Sequence, residues 1–193
     1  MPLTISMSVA QLLKRETFEE HAKAEKLLAP KLASIQSYND YAAILKMFYG
    51  FFCPLEKRIE RHLSQEILVD VHERRNSLFI LRDLESIQSS TEDLLLCKTL
   101  PGINSSLQAL GTMYVLEGST LGGRMIGKML MKNPAVTFND GNLNFFNGYK
   151  ENTGTKWTYF LSVVDQYEDH ADVMIASANE TFRCLTKWME ECL

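Results

Sequence analysis

Gly111-Thr112-Met113-Tyr114-Val115-Leu116-Glu117-Gly118-Ser119-Thr120-Leu121-Gly122-Gly123-Arg124-Met125-Ile126-Gly127-Lys128 has the apolar residues of a long helix, yet it contains five of the chain's ten glycines. Each glycine inside a helix costs about 1 kcal/mol relative to alanine, so the segment gives up roughly 5 kcal/mol of helix propensity. Such a loss makes sense where bare backbone is needed. Gly111, Gly118 and Gly122 fall at i, i+7 and i+11 on one helical face, and Ser119, Gly123 and Gly127 form a neighbouring line at i, i+4 and i+8. The strip has two readings. Its four-residue glycine spacings suit the close approach of another helix. Equally, a flat ligand would find room to lie on the backbone.

A second segment, residues 12–28, bears on the choice. Lys14, Thr17, His21, Glu25 and Leu28 fall at i, i+3, i+7, i+11 and i+14, on one face of a helix expected over residues 9–28. A histidine on such a face is either a hydrogen-bonded core residue or a metal ligand. Glu25, one turn away, is placed to fix the tautomer of His21. Lys14 lies two turns away, about 10 Å along an unbroken helix. That separation suits a cation facing the anionic edge of a planar ligand centred on His21. An ordinary solvated lysine is the plain alternative.

These residues resemble the haem oxygenases, specifically the bacterial branch. Leu13, Lys14, Thr17, His21 and Glu25 match the family pattern L-K-x-x-T-x-x-x-H-x-x-x-E. Residues 114–122 match Y-V-x-E-G-S-x-L-G. Phe145-Phe146-Asn147-Gly148-Tyr149, followed by Trp157 and Phe160, resembles the bacterial F-F-x-x-Y segment. The resemblance implies an all-α fold with haem between the first helix and a kinked, glycine-rich distal helix. It implies His21 as the iron ligand. Lys14, Thr17, Glu25, Tyr114, Gly118, Gly122 and Gly123 would be further haem contacts. Gly118, Ser119 and Gly122 would form the catalytic distal face. Ser119 stands where the animal enzymes have an aspartate. The implied reaction opens haem with O2 to biliverdin, carbon monoxide and ferrous iron, so haem is cofactor and substrate together. Lys14 would hold the propionates and favour the α isomer.

The chain has no flavin or nicotinamide fingerprint, so electrons would come from an external ferredoxin or reductase. Its 193 residues carry 46% hydrophobic residues and a formal net charge of −4, which suits one globular domain over 1–193 and disfavours a nucleic-acid partner. No apolar run reaches the length of a membrane span. The N-terminus lacks a basic region followed by an apolar core. The four cysteines have no C-x-x-C spacing and read as reduced thiols of a cytoplasmic protein.

The remaining pattern is helical, with no repeat and no strand alternation. Ser37-x-x-Asp40 reads as a capping box opening a helix through Phe48 and Phe52, with a kink or break at Pro54. Further helices are expected near residues 71–87, 105–131, 155–167 and 171–192, with turns at Pro101-Gly102 and Asn139-Asp140-Gly141. Glu56-Lys57-Arg58 reads as a solvated face. None of His21, His62, His72 and His170 has a glutamate three residues before it, which disfavours a di-iron bundle. Two alternatives to the enzyme remain: a haem carrier without turnover, and a thiaminase-like enzyme with Cys53 as nucleophile.

Overall fold

The structure is a computed structural model that describes residues 7–193. Among these residues it has eight α-helices and no strand: α1 (Val9–Glu16), α2 (Phe18–Ala33), α3 (Tyr38–Ile59), α4 (Leu78–Ser86), α5 (Ser106–Leu130), α6 (Asn144–Asn147), α7 (Thr153–Val164) and α8 (Ala171–Cys192). None of them is long and apolar enough to cross a membrane.

Serine caps set three of the starts. Ser8 and Gln11 form a reciprocal capping box at α1. The Ser37 side chain accepts the Asp40 N–H, and Asp40 in turn accepts the Ser37 hydroxyl and the Gln36 N–H. Ser105 accepts the Gln108 N–H at the start of α5. Each cap satisfies donors that a helix end otherwise leaves open.

The expected first helix is two helices. At Thr17 the backbone sits at φ −100°, ψ −2°, and the Thr17 hydroxyl donates to the Leu13 carbonyl at 2.7 Å. Back-bonding of this kind bends helices. Lys14 and His21 therefore stand on either side of a break rather than on one straight axis. The stretch 71–87 also divides, into a 3-10 turn at Val71–Glu73 and α4, with the intervening residues leaving the helical path at Arg74. By contrast α3 runs through Pro54 unbroken. Proline has no N–H to bond back to Gly50, and the Gly50 carbonyl instead accepts the Cys97 N–H at 2.9 Å.

α8 is the spine of the fold, packed along α5 and against α1, α2 and α3. The crossing with α5 is tight at Gly111, where a Cβ would stand 2.3 Å from the Met174 carbonyl oxygen. Tyr41, Phe51, Phe145, Phe146 and Phe160 are among the largest fully buried side chains. The short α6 is held by Asp83 of α4, whose carboxylate accepts the N–H groups of Asn144 and Phe145, each at 2.8 Å. Burial raises the Asp83 pKa above the ordinary carboxylate value, and those bonds oppose the rise.

Two glycine-to-alanine variants separate packing from helix propensity. Gly111→Ala is expected to lose about 1–3 kcal/mol in urea unfolding, because backbone must move to admit the methyl group. Gly154→Ala, in α7 with nothing within 4 Å of its Cβ position, should gain up to about 1 kcal/mol.

Candidate functional site

His21 lies in the first turns of α2 with its side chain 51% exposed. Its ring centroid is 5.3 Å from that of Phe182 on α8. Its Nε2 lies 3.3 Å from Oε1 of Glu25, one turn on. One ring nitrogen is thus met by a carboxylate, and the other has no hydrogen-bond partner among the described residues. Lys14 is exposed near the end of α1, and Phe18, one turn before His21, is a large exposed apolar residue. Thr17 is buried beneath them, beside Tyr114 of α5. Burial raises the Tyr114 phenol above its ordinary pKa, and the neighbouring Thr17 hydroxyl opposes the rise. One turn past this contact come His21 on α2 and Gly118 on α5.

The glycine strip is not one surface. Gly111 packs on the backbone of α8. Gly127 lies against Asn147, whose Oδ1 would be 3.0 Å from an added Cβ. Gly123 is buried, with the Phe146 carbonyl oxygen 2.8 Å from its Cβ position. Its missing side chain admits the Phe146 backbone. Gly118 and Gly122 differ. At Gly118 a Cβ would only touch Trp157, at 3.5 Å, and at Gly122 it would meet nothing within 4 Å. Leu121, Met125 and Met129 are exposed on the same part of α5. The close-packing reading holds at Gly111, Gly123 and Gly127, and the α5 backbone is open at Gly122.

Beneath Gly118 lies a polar network that linear patterning did not reveal. Glu117, in the middle of α5, is buried. Its Oε2 accepts Nη1 of Arg74 at 2.6 Å, and its Oε1 accepts the Tyr149 hydroxyl at 2.8 Å. Arg74 also donates to Asp70 at 3.0 Å, and Lys156 joins the outer edge through Asp70 and Glu73. Burial works against the Arg74 charge, but Glu117 and Asp70 outweigh it and hold the pKa above its usual value. The Arg75 N–H donates to the Tyr149 oxygen at 2.7 Å, and its guanidinium donates to Ser119 Oγ and the Leu116 carbonyl. Ser119 donates its own proton to Leu116 at 2.6 Å. Glu56, expected on a solvated face, instead accepts both the N–H and the hydroxyl of Ser77, at 3.0 and 2.6 Å. The sequence held one signal, a lone carboxylate inside an apolar helix. Nothing in linear spacing paired it with residues some forty positions upstream.

Residues 7–191 match the family model described as heme oxygenase. The chain belongs to the haem oxygenase family. Heme oxygenase 2 from Chlamydomonas reinhardtii, in a crystal structure without heme, aligns with a TM-score of 0.74 at 15% identity, over 97% of this chain and 98% of that one. The heme oxygenase from Leptospira interrogans aligns with a TM-score of 0.71 at 18% identity, over 96% and 100% of the two chains. A search of curated proteins finds no match. The structural likenesses establish the fold, and the family match gives the chain its general activity, the degradation of haem. The same match leaves the thiaminase-like alternative without support, and Cys53 itself is buried in α3.

Breaking a buried ion pair from one side is far more costly than losing an exposed one. Glu117→Ala should lose about 3–5 kcal/mol of stability, whereas Lys156→Ala should lose less than about 1 kcal/mol. The same network has an acid signature. Burial pushes the Asp70 carboxyl up, but Lys156 and Arg74 together hold it below 3.8. Because the folded value is the lower one, the stabilisation is present above pH 3.8 and is lost as pH falls below it. Unfolding curves at descending pH should show this loss in the wild type and not in Asp70→Asn.

Proposed function

We propose that this haem oxygenase opens haem oxidatively to biliverdin, carbon monoxide and ferrous iron, with O2 as co-substrate and electrons from an external ferredoxin or reductase. One observation carries the reading: a half-exposed imidazole with a carboxylate on one nitrogen stands one turn from the Thr17–Tyr114 contact, and unfilled backbone stands one turn from it on α5. A histidine whose second nitrogen meets a carboxylate is the usual arrangement of a metal-ligating imidazole.

In this reading His21 binds the iron, and Glu25 orients the ring and raises its basicity. Bound haem supplies the iron that takes up O2 and the macrocycle that is opened. Neutral imidazole ligation lacks the strong electron push of a thiolate. Gly118 and Gly122 add no side chain of their own to the distal side, so a bound ligand would lie close to α5 backbone. Tyr114 and Thr17 close the junction between the two walls, and Phe18, Leu121 and Met125 supply apolar surface for the flat faces of the macrocycle. Lys14 supplies a cation for the propionates on the α1 side of the break. Ser119 contributes its hydroxyl oxygen at the distal turn, with its own proton held by Leu116. Ordered water there is the natural proton donor.

Haem titration followed by turnover with a reductant tests the reading. The wild type should give a histidine-ligated Soret band that converts to biliverdin absorption. His21→Ala should lose that ligation spectrum and ring opening. Gly122→Val should still fold and bind haem, but turn over at least about tenfold more slowly, a barrier increase of about 1.4 kcal/mol. Binding without any conversion in the wild type would leave a haem carrier instead. Normal turnover by Gly122→Val would remove the distal role of the bare backbone.

A further inference from the structure

Arg74 and Arg75 are adjacent in sequence and both buried, yet their surroundings are opposite. Arg74 lies between two carboxylates, Glu117 at 2.6 Å and Asp70 at 2.9 Å. Arg75 makes no ion pair with any carboxylate among the described residues. Its Nη2 donates to the Leu116 carbonyl at 2.8 Å and to Ser119 Oγ at 2.7 Å. Its guanidinium carbon lies 4.4 Å from the centre of the Phe145 ring, and its Nε has no partner. The ionisable groups around it are Glu117 of α5, Tyr149 beside α6 and Glu56 of α3. Of the two carboxylates, Glu117 is already engaged by Arg74 and Tyr149.

Burying a charge without a direct counter-charge is expensive, and a fold seldom retains it for stability alone. Desolvation lowers the Arg75 pKa from its usual value, as expected for a cation held in apolar surroundings. Strongly perturbed groups of this kind cluster at functional sites. The place where Arg75 directs its hydrogen bonds is also specific. Leu116 and Ser119 flank Glu117 and Gly118, the turn of α5 where the bare backbone begins.

We propose that Arg75 is the positioning residue of this turn, fixing the Leu116 carbonyl and the Ser119 hydroxyl, and that its charge sets a positive field behind Gly118. The inference rests on haem binding between His21 and α5. A ligand on the Gly118 side would then feel a cation one hydrogen bond behind the helix surface. The field would be fixed, because planar guanidinium geometry and two acceptors on one turn hold the charge in place.

The infrared C–O stretch of the ferrous haem–carbon monoxide complex reads this field directly. A positive field at the oxygen end strengthens back-donation from iron and lowers the frequency. Arg75→Gln removes the charge and keeps an N–H donor, so the stretch should move to higher wavenumber. Arg75→Lys keeps the charge, so the stretch should stay near the wild-type value. A purely structural role would move both variants alike, and that result would overturn the proposal. So would a wild-type frequency in Arg75→Gln with its histidine-ligated spectrum intact. Where Arg75→Gln fails to fold, the wild-type complex decides the matter: its stretch should lie below that of an imidazole-ligated haem–carbon monoxide complex in apolar solvent, and an equal or higher value would overturn the proposal. Failure of the wild type to give a haem spectrum would overturn the haem reading together with this one, whereas a normal spectrum with insensitive variants would overturn this one alone.

Discussion

The buried Glu117 carboxylate is the interaction on which the candidate site depends. A carboxylate inside a helix bundle must have both oxygens satisfied or it unfolds its surroundings. Here Arg74 satisfies one oxygen and Tyr149 the other. Those partners come from the segment after the 3-10 turn at Val71–Glu73 and from the turn between α6 and α7. Two separate parts of the chain are thereby tied to one turn of α5. With its inner side fixed in this way, α5 can leave its outer side bare at Gly118 and Gly122 without losing its place in the fold.

The glycines of α5 show how one composition serves two purposes. Gly111, Gly123 and Gly127 let other backbone or side-chain atoms approach where a methyl group would collide. Gly122 faces open space, and at Gly118 a Cβ would meet Trp157 only at ordinary contact distance. Two hydroxyls add to the local softness of the helix: Ser119 bonds back to Leu116, and Thr120 bonds back to Glu117, each at 2.6 Å. Bonds of this type bend helices, yet α5 stays helical from Ser106 to Leu130.

Much of the fold was legible in the sequence because its causes are local. Apolar periodicity and absent alternation make the chain all-helical. Ser37 and Ser105 open their helices by capping bonds that span three residues, and α8 runs over the residues its pattern predicts. His21 with Glu25 was visible for the same reason, since four-residue spacing brings them together on any helix. Non-local pairings were not legible. The break at Thr17 turns on a choice of hydrogen bond by one hydroxyl. The continuity of α3 through Pro54 depends on Cys97, far along the chain, taking up the Gly50 carbonyl. Arg75 could be matched to Ser119 only once the fold had brought them together.

Amide hydrogen exchange, measured with and without haem, locates the ligand directly. New protection is predicted along residues 18–25 of α2 and residues 117–123 of α5. Little change is predicted around the polar hollow lined by Arg124, Lys128, Asp140 and Lys150. Protection confined to that hollow, with residues 18–25 and 117–123 unchanged, would contradict a haem held between His21 and the bare backbone of α5.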